Sequence, residues 1–76
     1  MKYVIKIGHK KDNHTKWYYY DGNTYMIRNE CLAEDFFTTL DKAKRYPNQK
    51  AAEKEADKLY NKCSNVDIWF VEEVEE

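Results

Sequence analysis

Residues 17–20 read Trp17-Tyr18-Tyr19-Tyr20, and after Asp21-Gly22-Asn23 comes a second β-prone run, Thr24-Tyr25-Met26-Ile27. Two such runs flanking an Asp-Gly pair predict a β-hairpin. Side chains alternate along a strand, so the four rings divide between the two faces of the sheet. Loop length decides the division, because a one-residue slip inverts the set. A two-residue loop Asp21-Gly22 puts Tyr18 and Tyr20 on one face with Tyr25 and Ile27. A three-residue loop ending at Asn23 puts Trp17 and Tyr19 there instead. The commoner Asp-Gly turn sets the expectation that Tyr18 and Tyr20 point inward with Tyr25 and Ile27, leaving Trp17 and Tyr19 outside.

The need to bury most of those rings follows from size. Seventy-six residues make a single domain over residues 1–76, near the lower limit at which a core suffices without metal or disulfide support. Seven Tyr, three Phe and two Trp supply much buried area per ordered residue. So small a layer leaves little room for a cleft, which argues against an enzyme.

Along the chain, Tyr3, Ile5 and Ile7 alternate with Lys2, Val4 and Lys6 and predict a first strand over 2–7. A polar connection over 8–15 leads to strand two at 16–20. Residues 28–35 show no clear period and read as loop or a brief helical turn, with Phe36 and Phe37 requiring burial. Thr38 or Thr39 is placed to cap a short helical turn whose Leu40 and Ala43 point inward. Pro47 disfavours helix at Tyr46, and Asn48 is a strong N-cap for a main helix over 49–62. Its apolar stripe is Ala52, Ala56, Leu59, Tyr60 and Cys63. Lys50, Lys54, Lys58 and Lys62 form a ridge on the solvent side, diluted by Glu53, Glu55 and Asp57. Ser64-Asn65 reads as a C-cap with Asn in the left-handed region. A final strand over 66–71 places Val66, Ile68 and Phe70 on one face and Trp69 and Val71 on the other. The fold class is α+β: an antiparallel sheet in the order βββ, short helix or loop, α, β, with one main helix packed on one face.

Net charge is −1, so the whole molecule lacks the basic signature of nucleic-acid binding. The charge is nevertheless asymmetric. Lysines dominate residues 1–20, while the C-terminus reads Glu72-Glu73-Val74-Glu75-Glu76. If first and last strands are neighbours, Lys2 or Lys6 facing those glutamates supports their pairing, at about 0.2–1 kcal/mol per exposed pair. No stretch approaches a transmembrane span, and the alternating start does not read as a signal peptide. A reduced cytoplasmic setting follows for Cys31 and Cys63.

Nucleophilic catalysis would draw on Cys31 or Cys63 with His9 or His14. Cys63 falls on the buried stripe of the helix, and two histidines in one polar loop give no orientation. The same four residues lack the close cysteine pairs of a zinc site. The expectation is therefore no catalytic residues, no metal and no cofactor. Trp17 or Tyr18, together with Tyr20, Trp69 and Lys6, Lys16 or Arg28, would make a stacking platform for single-stranded nucleic acid. The acidic end, with Asp67, would dock on a basic partner surface.

The short Lys-rich first strand, the Tyr-rich hairpin, the phrase Leu40-x-x-Ala43-x-x-Tyr46-Pro47-Asn48 leading into an Ala/Lys/Glu helix, and the closing strand Ile68-Trp69-Phe70-Val71-Glu72-Glu73-Val74-Glu75 together resemble small proteins encoded by phages and prophages of low-GC Gram-positive bacteria. That resemblance is one of layout across most of the chain. It implies an accessory protein that inhibits a host protein, such as an anti-CRISPR acting on a defence nuclease. The residues assigned to partner binding are Glu72, Glu73, Glu75, Glu76, Asp67, Trp69, Trp17 and Tyr19. A host protein is the expected partner, and nucleic acid ranks second. An exposed edge strand would also allow a homodimer.

Overall fold

The computed structural model describes residues 1–35 and 39–75. The fold is α+β, in the order β1 (Lys2–Lys11), β2 (His14–Tyr19), β3 (Thr24–Ile27), β4 (Glu30–Ala33), a 3-10 turn (Leu40–Lys42), α1 (Gln49–Lys62) and β5 (Ile68–Val74). The strands form two antiparallel sheets, one ordered β2-β1-β5 and one pairing β3 with β4. Helix α1 packs on β1 and β5 and touches β4. No helix among the described residues is long and apolar enough to cross a membrane.

The aromatic run pairs differently from the expected hairpin. β2 turns back on β1, with Lys11 opposite His14 and Lys6 opposite Tyr19. This extends β1 four residues beyond the expected end at Ile7. The turn between them holds Asp12 at φ 44, a left-handed conformation that Asp tolerates better than most residues. Asp21-Gly22-Asn23 is not a hairpin loop but a passage between sheets. Gly22 sits at φ 96, and the Asn23 N–H donates to the Asp21 carboxylate at 2.9 Å, an Asx turn. β3 pairs with β4 instead, with Ile27 opposite Glu30 across Arg28-Asn29. Both turn residues are left-handed, at φ 49 and 69, as a two-residue hairpin loop requires. Only Asn29 advertises that geometry, so residues 30–33 carry no obvious strand signal.

Parity in β2 follows the expectation. Tyr18 and Tyr20 are buried, whereas Trp17 is exposed and Tyr19 half-buried. Their core partners differ, because Ile27 is exposed and Tyr25 only half-buried. The rings join Ile5 and Ile7 from β1, Ala52, Ala56 and Leu59 from α1, and Val66. Beyond the end of β2 the edge of β1 is completed by Tyr46, which exchanges two backbone hydrogen bonds with Tyr3 at 3.0 and 2.8 Å.

Helix α1 has the expected bounds, and the Asn48 side chain accepts from the Ala51 N–H at 2.8 Å. Ala52, Ala56, Leu59 and Cys63 are buried, but Tyr60 is exposed. Tyr60 lies at the margin of the stripe, where its ring points off the sheet. Of the short turn, Ala43 is buried and Leu40 exposed. Thr39 makes no cap hydrogen bond there; its hydroxyl donates to the Asp41 carboxylate. The expected burial of Phe36 and Phe37 falls outside the described residues, as does a cap at Thr38.

Asn65 is not a left-handed C-cap. Its side chain is 2% exposed, and its amide pairs with both backbone groups of Ala33, at 2.9 and 2.8 Å. Its carbonyl accepts from the Tyr18 hydroxyl at 3.1 Å. One residue thus continues the edge of β4 and ties it to β2. Because residues 64–67 lie outside the ladder, the alternation expected from Val66 onward is broken, and β5 starts in the opposite phase. Trp69 and Val71 pack against the core, while Phe70 is exposed.

Replacing Asn65 with Ala leaves the buried N–H and carbonyl of Ala33 unpaired. The expected loss is about 2–4 kcal/mol in urea unfolding, given about 1–3 kcal/mol per unsatisfied group. Alkaline pH gives a second check. Burial holds the Tyr18, Tyr20 and Tyr46 hydroxyls above the ordinary value of 10.0, with Asp35 adding to the effect at Tyr18 and Glu55 at Tyr20 and Tyr46. The folded state holds these protons more tightly. Their contribution is therefore complete below about pH 10 and falls as pH rises above it. Tyrosinate absorbance of those three rings should appear together with loss of the fold.

Candidate functional site

The helix covers only one face of the β2-β1-β5 sheet. Lys2, Val4, Lys6, Gly8 and Lys10 of β1 alternate onto the other face. Lateral register sets Lys6 between Tyr19 and Phe70, and Gly8 between Trp17 and Ile68. Trp17 and Phe70 reach across the central strand and stack, with ring centroids 5.7 Å apart and planes 30° apart. Lys6 Nζ lies 5.4 Å from the Trp17 ring centroid, within cation–π range.

Gly8 makes that cluster sterically possible. A Cβ there would stand 2.7 Å from Ile68 Cγ2, 2.9 Å from Trp17 Cζ3 and 3.0 Å from Thr15 Cγ2. Without a side chain, the glycine lets Trp17 and Ile68 settle over the backbone of β1, and it is itself buried. Trp17 and Phe70 nevertheless remain 44% and 49% exposed. At the margin Tyr19 hydrogen-bonds to Glu72, and that bond is the first cause of its raised pKa.

Of the residues assigned to partner binding from sequence, the structure brings together Trp17, Tyr19 and Glu72. Trp69 is on the helix side, packed against the core, because the phase of β5 is reversed. Asp67 precedes β5 at the far end from the glutamates, where its carboxylate accepts from the Lys10 N–H at 2.8 Å. Glu73 pairs with Tyr3 and alternates onto the same side as Trp69. Glu75 is exposed beyond the strand end, and Glu76 lies outside the described residues. β1 and β5 are neighbours, but Lys2 faces Val74 and Lys6 faces Phe70. Glu72, opposite Val4, stands diagonal to both lysines.

Phe70 is the residue that sequence reasoning left out of the partner-binding set in favour of Trp69, although it grouped Phe70 with Ile68 on one strand face as found. Its signal was the exchange of phase at Asn65, which period-2 counting from Val66 could not detect. The groups weighed for catalysis or metal binding are dispersed. His14 is exposed at the β1-β2 turn, and His9 sits opposite Lys16 with its Nδ1 buried and unpaired among the described residues. Cys31 and Cys63 lie together in the core. No group of three His, Cys, Asp or Glu among the described residues is placed to hold a metal. No family model, curated protein or solved structure matches the chain.

Gly8→Ala should displace Ile68 and Trp17 rather than β1. We expect a loss of about 1–3 kcal/mol from overpacking. Trp17 emission should shift, read in a Trp69→Phe background that leaves one indole. Unchanged stability and emission would mean that Gly8 is not the seat of the cluster.

Proposed function

We propose that this protein is a non-enzymatic binding module that docks on a partner protein through the helix-free face of its three-stranded sheet. The exposed stack of Trp17 on Phe70 carries this reading. Binding hot spots are enriched in Trp and Tyr at the centre of a patch, surrounded by a polar rim. Here Trp17, Phe70, Ile68 and Tyr19 form the centre, with Lys6 among them, and Lys2, Lys10, Glu72 and Asp67 form the surround. The charges nearly balance, which fits an apolar recess on the partner with a mixed rim. The setting we propose is a phage accessory protein that inhibits a host protein, following the layout described above. Inhibition of a defence nuclease belongs to the same proposal, with Glu72 and Asp67 the acidic residues of the surround among the described residues.

A second reading, a single-stranded nucleic-acid binder, is favoured by one observation: Lys2, Lys6 and Lys10 share the face of the rings. The two separate experimentally. In capture from lysate of a low-GC Gram-positive bacterium, immobilised wild-type protein should retain a specific protein. A Trp17→Ala/Phe70→Ala variant with unchanged circular dichroism should retain it at least about tenfold less, given about 2 kcal/mol or more per hot spot. Glu73→Lys and Glu75→Lys should leave capture unchanged. Equal retention by the double variant would remove the proposed face. Quenching of Trp17 by oligothymidylate, lost as salt rises, would replace this reading with the second.

A further inference from the structure

Two cysteines that lie 32 positions apart in sequence meet in the core with their sulfurs 3.5 Å apart. Cys31 belongs to β4 and Cys63 caps the C-terminal end of α1. Their backbones already pair as a parallel bridge, with the Ser64 N–H donating to the Cys31 carbonyl at 3.1 Å. The sulfurs are about 1.5 Å farther apart than a covalent bond requires, within reach of small side-chain adjustments. We propose that Cys31 and Cys63 form a reversible intramolecular disulfide that fastens the β3-β4 hairpin to the end of α1. This site is independent of the proposed docking face, from which it is separated by the sheet.

The co-reactant is a small diffusible disulfide of the glutathione class. Cys31 is the more accessible of the two, at 9% exposure against 4% for Cys63, and burial and the neighbouring thiol push Cys63 up to about 12. Cys31 therefore attacks first, as the thiolate. Its sulfur bonds to one sulfur of the small disulfide, whose S–S bond breaks and releases one small thiolate. That thiolate takes up the proton Cys31 gave to solvent. Cys63 then loses its proton and attacks the Cys31 sulfur of the mixed disulfide, expelling the second small thiol. Two protein thiols are oxidised and one small disulfide is reduced to two thiols. Access to Cys31 requires local opening of the hairpin edge, which Asn65 and Ser64 hold closed.

The test equilibrates the native protein with excess oxidised glutathione, quenches it in acid, and measures free thiols, intact mass and thermal unfolding. The expected product is a monomer lacking both thiols and two hydrogens, with Tm higher by about 10–20 °C for a loop of this length. Dithiothreitol should restore the starting material, and Cys31→Ser should abolish the rise. Asn65→Ala should oxidise faster. Persistence of both thiols, a stable glutathione adduct, a disulfide-linked dimer, or an unchanged or lower Tm would each overturn the proposal.

Discussion

The two-sheet arrangement depends on the buried amide of Asn65. An isolated two-stranded hairpin is marginal in water, and β3-β4 gains its place by joining the edge of β4 to residues 63–65. There a side-chain amide does what a further strand residue would do: it donates to one backbone group of Ala33 and accepts from the other. The same residue's backbone carbonyl accepts from the hydroxyl of Tyr18, so the hairpin, the exit from α1 and the buried ring of β2 are positioned by one residue, through its side chain and its main chain. A buried polar group must be satisfied to be tolerated. Here the satisfied group sets the relative placement of three elements.

That placement also decides which residues face solvent. Because residues 64–67 are held outside the ladder, β5 enters the sheet with Trp69 inward and Phe70 outward. β2 enters with Tyr18 inward and Trp17 outward. The two outward rings meet over Gly8, the position on β1 without a side chain to hold them apart. Tertiary pairing, rather than local propensity, thus assembles the exposed aromatic cluster.

Much of the framework was legible in the chain. Asn48 and the run of helix formers after it define α1 at both ends, and period-2 alternation places Ile5 and Ile7 in the core. The division of Tyr18 and Tyr20 from Trp17 and Tyr19 came out as expected, but the Asp21-Gly22 hairpin loop it was argued from does not form. Strand pairing was not legible, because Asp21-Gly22-Asn23 carries the composition of a hairpin turn while serving as a crossing between sheets. Arg28-Asn29, with only one residue suited to a left-handed turn, forms the hairpin instead. Of the candidate site, Trp17, Tyr19 and Glu72 were identified from sequence. Phe70 and Gly8 were not, because the first needed the phase of β5 and the second needed its neighbours in space.

The helix-free sheet face is the docking surface proposed for this protein. The most direct test is amide chemical-shift mapping of the labelled protein as a captured partner is added. Our account predicts perturbations concentrated at Lys6, Gly8, Trp17, Tyr19, Ile68, Phe70 and Glu72, with the exposed side of α1 unaffected. Perturbations confined to the lysine ridge of α1 or to the Arg28-Asn29 turn would contradict it.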